Sequence, residues 1–364
     1  MSDVVIIDAV RTPIGRRNGG LATVHPTDLL ATTLKALVER NGIDPLEVGQ
    51  VVGGCVSQVG EQSFNVTRTA WLTAGLPQEV AATTVDTQCG SSQQATNLAS
   101  ALVAGGVVDV AIACGVEAMS RVPIGSNSNK ALGLGVPIPK SYFPQYEFVS
   151  QFEGAERIAD KWGITRADAD AFGVESQRRA ALAWNEGRFD TQVIEIDAPD
   201  VGDGGEALGT THRVSRDEGL RETTLEKLSG LKAVARDNGV HTAGTASQIS
   251  DGAAAVLIMS ATKAAELGLT ARARIVDTAL VGVDPDEHLG QVLGEGPELV
   301  LPIGDRSMGQ HEIGDVAPDR DRTDDRARLT ALRAEQHAVH VLTSGVVDER
   351  LLVRRRHPGL DHAA

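Results

Sequence analysis

One of the three cysteines, Cys55, Cys89 and Cys114, stands in a setting that favours chemistry. Before Cys89 lies an apolar, β-branched run, Ala81 to Val85. After it, Ala95, Leu98, Ala99 and Leu102 recur at i, i+3, i+4 and i+7. That order reads as strand, sharp turn and helix over Val85 to Gly105. It puts Cys89 at a helix N-terminus, among unpaired backbone N–H groups and at the positive end of the dipole. Such a setting favours thiolate, the nucleophilic form of cysteine. Gly90, Ser91 and Ser92 are small and leave room for a bulky acyl group. The residue types alone leave a second reading open, a buried structural cysteine.

The elements that must position this turn alternate between strand and helix. Val4 to Ala9 is a continuous apolar run and reads as a strand buried on both faces. Thr27 to Arg40 reads as a helix with Leu30, Leu34, Leu37 and Val38 inward and Asn41-Gly42 as its stop. Strands are expected at Val51 to Val56 and Val107 to Cys114, and a helix at Ser63 to Ala74, closed by Gly75 and Pro77. The alternation predicts an α/β fold with a largely parallel sheet and helices on both faces. From Pro123 to Pro144, prolines and glycines make an irregular segment. Helices follow at Ala155 to Trp162 and Arg166 to Glu186, and the faces carrying Asp168, Asp170, Arg178 and Arg179 are expected to be solvated. A short strand is expected at Val193 to Ile196. Ala253 to Ser260 returns to the core, and Arg274 to Val283 reads as a further strand.

Gln88-Cys89-Gly90-Ser91 followed by Gln94-Ala95 resembles the nucleophile motif of the thiolases, the acyl-CoA acyltransferases. Four other segments resemble thiolases in the same order and near the expected spacing. They are Val10-Arg11-Thr12-Pro13-Ile14-Gly15; Gly60-Glu61-Gln62 through Arg68 to Ala74-Gly75-Leu76-Pro77; Gly115-Val116-Glu117-Ala118-Met119-Ser120; and Thr242-Ala243-Gly244-Thr245-Ala246-Ser247 with Asp251-Gly252-Ala253. The resemblance covers residues 3 to 284. It implies a layered αβα half made of 1–119 and 249–268, an inserted CoA-binding loop domain at 120–248, and an incomplete second half at 269–364. It implies acyl transfer through an acyl-Cys89 intermediate, with coenzyme A or acyl-CoA as substrate and no permanently bound cofactor. Arg221 and Lys232 become candidate phosphate partners, and Ala243, Ala246 and Ser247 candidate contacts for the pantetheine arm. Homo-oligomers, dimers or tetramers, are implied too. Gly54-Cys55-Val56 to Pro77 is most similar to degradative thiolases, including those acting on steroid side chains.

After Asp284-Pro285 the family pattern stops. The expected Asn-Glu-Ala-Phe segment, Gly-His-Pro motif and Cys-x-Gly-x-Gly loop are not found, and no cysteine follows Cys114. His357-Pro358-Gly359 resembles part of the second motif but follows Arg354-Arg355-Arg356 rather than glycines. The tail reads as another coding frame, shifted between Asp284 and Pro302. It is expected to be mostly irregular, with an amphipathic helix at Arg328 to Val341 and a charged stretch at Asp319 to Arg328. Loss of the family's histidine and second cysteine would impair catalysis. A non-catalytic acyl-CoA- or lipid-binding relative is the alternative.

Composition narrows the partners. The 364 residues carry a net charge of -15, which argues against nucleic acid and anionic membranes as main partners. The cysteines show no metal-ligand spacing and suit a reducing, cytoplasmic compartment. The chain opens directly on a strand with no apolar leader. No apolar run reaches the ~20 residues of a membrane-spanning helix.

Overall fold

In a computed structural model the described residues are 3–280, apart from 129, 130, 132, 134, 203 and 204. Two units divide the chain, residues 1–299 and 300–364, and the second lies wholly outside the described residues. So do the expectations for the tail, including the Arg328–Val341 helix and His357.

The core sheet contains β1 (Val4–Arg11), β2 (Gly15–Arg16), β3 (Gln50–Gly54), β4 (Ala81–Val85), β5 (Val110–Ala118), β8 (Ser250–Ser260) and β9 (Ala273–Ile275). Its order is β4-β3-β5-β8-β1-β9, with β2 paired to β8. β4, β3 and β5 run parallel. β8 then lies antiparallel to both β5 and β1, and β9 antiparallel to β1. The sheet is therefore mixed, not largely parallel as the alternation suggests. β8 arrives after the long excursion of residues 119–249, so no short right-handed crossover dictates its direction.

Two faces of the sheet carry different side chains. On β5, Val110, Ile112, Cys114 and Val116 join one core with Leu29, Leu30, Leu34 and Leu37 of α1 (Pro26–Asn41) and Trp71 of α2 (Val66–Thr73). Ala111 and Ala113 face the other way, onto Ala95, Ala99 and Val103 of α3 (Ser91–Ala104). The period-2 alternation of large and small residues lets α3 lie close to the sheet. The buried stripe of α3 is Ala95, Ala99 and Val103. Leu98 is exposed and Leu102 half-buried, which shifts the expected inward face by part of a turn.

Several boundaries move for local reasons. α1 ends on Gly42, left-handed at φ 61°, as its Asn-Gly stop implies. α2 starts three residues later than expected, because Phe64 and Asn65 are both left-handed and the Asn65 side chain caps Arg68 N–H. Val107 is exposed and β5 runs from Val110 to Ala118. Of the strand expected at Arg274 to Val283, β9 covers Ala273 to Ile275, residues 276–280 are not strand, and 281–283 lie outside the described residues.

Residues 119–249 carry α4 (Gln151–Trp162), α5 (Arg166–Asn185), the antiparallel hairpin β6 (Ile196–Val201) and β7 (Ala207–Val214), and α6 (Leu225–Ser229). The strand expected at Val193 to Ile196 lies farther on, as β6, with Val193 in an isolated bridge to Arg11. Arg178 and Arg179 are solvated and pair with Glu175. Asp168 and Asp170 are not idle surface charges. Asp168 completes a capping box with Thr165, and buried Asp170 accepts from Arg166 Nε at 2.8 Å. A further helix, α7 (Ala261–Glu266), follows β8 and is capped by Ser260.

Candidate active site

Cys89 occupies the turn between β4 and α3, where the sequence places it, and it is exposed. The bland reading of a buried structural cysteine does not hold for it. Several bonds shape the turn. Asp86 Oδ1 accepts from Gln88 N–H at 2.7 Å, and Gln88 is held left-handed at φ 51°. Ser91 is N1 of α3. Its hydroxyl accepts from Thr87 N–H at 2.9 Å and donates to the Gln88 carbonyl at 2.5 Å. Gly90 N–H and Ser91 N–H bond back to Thr87 and Gln88 carbonyls. An aspartate two residues before a left-handed residue is a turn signal that the sequence offered and that reading for the nucleophile alone passes over.

Two glycines set how close α3 comes. A Cβ on Gly54 would lie 2.3 Å from Ser92 N, and one on Gly115 would lie 1.9 Å from Ser92 Oγ. Any side chain at either position would push the helix start away from the ends of β3 and β5. Gly54 at the end of β3 and the Gly115 of the Gly115-Val116-Glu117 segment therefore serve the nucleophile turn, whereas Gly53 makes room for Thr67 of α2.

The other two thiols differ in kind. Cys55 is buried, and burial first, then the charges of Glu117 and Asp86, push its thiol up to about 12. Burial alone raises the Cys114 thiol. Glu117 also organises the loop after β3: it accepts from Val56 N–H at 2.9 Å, Ser57 N–H at 3.2 Å and Gln62 Nε2 at 2.8 Å. Gln62 in turn accepts from Ala118 N–H at 2.8 Å.

The candidate CoA residues gather at the same end of the sheet as Cys89. β8 starts at Ser250 against the C-terminal end of β5, with Asp251 opposite Ala118. The Thr242–Ser247 turn leads directly into it. Thr242 is buried, while Ala243 and Ser247 are exposed and Ala246 half-buried. Thr242 O accepts from Thr245 and Ala246 N–H groups, which makes the turn compact. Gln248 Nε2 donates to the Gly219 carbonyl at 3.1 Å, and Ala233 bridges to Thr242. Those contacts bring the Arg221 and Lys232 segments beside the turn. Both cations are exposed, and neither forms an ion pair among the described residues. A crevice beyond the C-terminal ends of parallel strands is the usual ligand position of an open α/β sheet. Among the described residues no group of three metal-ligating side chains is assembled.

Residues 4–262 match the family model for the thiolase N-terminal domain. The chain belongs to the thiolase family. Among its relatives, the steroid 3-ketoacyl-CoA thiolase FadA6 of Mycobacterium tuberculosis is 40% identical over 291 residues, 78% of this chain and 69% of that protein. A 3-ketoacyl-CoA thiolase of Idiomarina loihiensis is 42% identical over 301 residues, 82% of this chain and 73% of the relative. The crystal structure of the Bacillus anthracis acetyl-CoA acetyltransferase superposes with a TM-score of 0.69 at 35% identity, covering 79% of this chain and 73% of its own. The α/β layering and the thiolase-type acyltransferase class expected from the five motifs are thereby established.

Proposed function

We propose that the chain performs thiolase-type acyl transfer through Cys89, in the degradative direction on 3-oxoacyl-CoA or in reverse as a Claisen condensation. The Cys89 thiolate would add to the C3 carbonyl, and the C2–C3 bond would break to leave an acyl-Cys89 thioester and the enolate of acetyl-CoA. Protonation of that enolate at C2 releases acetyl-CoA. The thiol sulfur of a second CoA then attacks the acyl carbon, the bond from that carbon to Cys89 sulfur breaks, and the CoA thiol proton passes to Cys89, which leaves acyl-CoA and the free Cys89 thiol. The observation that carries this reading is the exposed Cys89 on a turn built from Asp86, Gln88 and Ser91, closely backed by Gly54 and Gly115.

The 120–248 lobe is the CoA-binding part of this proposal. Arg221 and Lys232 are its phosphate partners, and Ala243, Ala246 and Ser247 line the pantetheine path. The Gln248–Gly219 and Ala233–Thr242 contacts, which join the neighbouring segments to the turn ahead of β8, support it. A homo-oligomer is supported by β4, which ends the sheet, and by Phe64 beside it at 95% exposure. Three free cysteines suit a cytoplasmic location. Among the described residues no helix is long and apolar enough to cross a membrane.

The test isolates the first half-reaction. After incubation with 3-oxoacyl-CoA, intact-mass spectrometry should show one acyl adduct, mapped to Cys89 and missing in Cys89→Ala. CoA binding with no adduct would replace this reading by the non-catalytic acyl-CoA-binding alternative.

A further inference from the structure

Helix α4 carries Glu153, Glu156 and Asp160, spaced i, i+3 and i+7, so they lie along one face. In solution that pattern would be an acidic, solvated stripe. Here all three grip one stretch, residues 236–241. Arg236 donates to Glu153 Oε2 at 3.0 Å and to Asp160 Oδ2 at 2.6 Å. Glu156 is 1% exposed and holds backbone alone. Its Oε2 accepts from Val240 N–H at 2.9 Å and its Oε1 from His241 N–H at 3.0 Å. A Cβ on Gly239 would lie 2.5 Å from Oε1, so the glycine keeps the carboxylate in place.

The stretch ends where the candidate pantetheine turn starts. Thr242 follows His241 at once, and its carbonyl closes the turn that presents Ala243, Ala246 and Ser247. The far side of the turn is packed too. A Cβ on Gly244 would come 2.4 Å from Leu228 of α6, and one on Gly173 of α5 3.1 Å from the Gly244 carbonyl. The turn is thus packed by α5 and α6 and held at its entrance by the α4 acids. A buried carboxylate on two consecutive amides is a strong anchor, because each bond is charge-assisted.

We propose that Glu156 is a positioning residue for coenzyme A: it holds the Val240–His241 backbone so that the Ala243–Ser247 turn fits the pantetheine arm. This rests on the reading of that turn as the CoA site. Glu156 touches no ligand itself. Its effect falls mainly on the pantetheine half of CoA, since Arg221 and Lys232, the phosphate partners, lie outside the pinned stretch and the Lys232 segment meets it only through backbone pairing of Val234 with His241 and of Ala233 with Thr242.

The experiment is calorimetric titration of the full chain with coenzyme A and, separately, with adenosine 3′,5′-bisphosphate, the nucleotide part that lacks pantetheine. Glu156→Gln keeps the shape but turns an N–H group towards an amide. It should weaken coenzyme A about tenfold, the effect of losing one charged hydrogen bond, and leave the bisphosphate unchanged. Gly239→Ala displaces the same carboxylate from the other side and should reproduce that split. Unchanged coenzyme A affinity in both variants overturns the proposal, as does an equal loss of both probes, which marks a general structural role. Ser247→Trp separates the two readings. Coenzyme A binding that survives Ser247→Trp, or no wild-type binding of either probe, overturns the CoA site and this inference with it. Binding blocked by Ser247→Trp but unmoved by Glu156→Gln and Gly239→Ala overturns the role of Glu156 alone.

Discussion

Carboxylates in this protein act repeatedly as acceptors for backbone N–H groups. Glu117 takes Val56 and Ser57, Glu156 takes Val240 and His241, and Glu218 takes Arg16 and Gly20. Asp217 takes Ile14 N–H while also pairing with Arg11 at 2.8 Å and accepting from Trp184 Nε1 at 3.0 Å. Part of the acidic excess is therefore spent inside the molecule, on loops around the site, rather than on a solvated surface. Glu117 has a second consequence, because its charge adds to burial in suppressing the Cys55 thiolate. Cys55 at about 12 and the further raised Cys114 stay protonated at neutral pH, whereas Cys89 is exposed. Iodoacetamide at pH 7.5 should therefore alkylate Cys89 at least about a hundredfold faster than either. Raising the pH to 9 should leave Cys55 and Cys114 unlabelled in folded protein. Peptide mapping reads the outcome, and early labelling of Cys55 would defeat the assignment of Cys89 as the reactive thiol.

Among the elements, the β6–β7 hairpin is bridged across its strands and to Gly20 by one histidine. His212 Nδ1 faces Asp200 Oδ1 at 2.7 Å, and Nε2 faces the Gly20 carbonyl at 2.9 Å. Both partners are acceptors, so the doubly protonated ring satisfies both. Bonding to Asp200 first, then the Gly20 carbonyl, raises the His212 pKa, and the Glu218 charge adds to it. Asp200 is lowered by Thr210 and by His212. The sign follows from linkage: the folded value lies above the unfolded one of 6.5. The stabilisation is fully present below that pH and is lost as pH rises through the folded value. Amide exchange in Ala207–Val214, corrected for intrinsic rate, should speed up as pH is raised above neutral. His212→Gln should abolish that pH dependence. Equal pH dependence in both proteins would show that the hairpin is held by its own ladder.

Among the described residues, β4 leaves one edge of the core sheet without a further strand partner. β4 pairs β3 on one side, and its burial pattern is open along the strand. Asn65 ties the preceding loop to that edge, through the Ala82 carbonyl at 2.9 Å and Thr84 Oγ1 at 2.7 Å. It thereby fixes Phe64 in full solvent exposure beside β4. An unprotected edge next to a large apolar side chain favours strand-to-strand association. The chain should sediment as a dimer or larger. Phe64→Asn should lower the association constant at least about tenfold, since burying such a ring contributes roughly 1.5–3 kcal/mol. Asparagine tolerates the left-handed backbone at φ 57° there, so the fold should persist. A wild type that sediments as a monomer at micromolar concentration would end the oligomer proposal.

What could be read from residue order is what local physics dictates. The hydrophobic period places α1, β1, β5 and α3, Asn41-Gly42 stops α1, and the run from Val85 to Gly105 makes the turn that carries Cys89. Motif order and spacing by themselves place the chain among thiolases. The tertiary structure decided the rest, because the forces involved act between distant residues. Nothing local to β8 states that it runs against β5, since direction depends on where the preceding lobe returns the chain. The exposure of Cys89 follows from packing, which residue type does not report, whereas the burial of Cys55 and Cys114 follows from their apolar strand runs. The partners of Glu156 are 84 and 85 residues away, and they are backbone N–H groups, which every residue but proline possesses. An acid bonded to such groups looks in sequence like any surface acid, and three-dimensional proximity alone distinguishes the two.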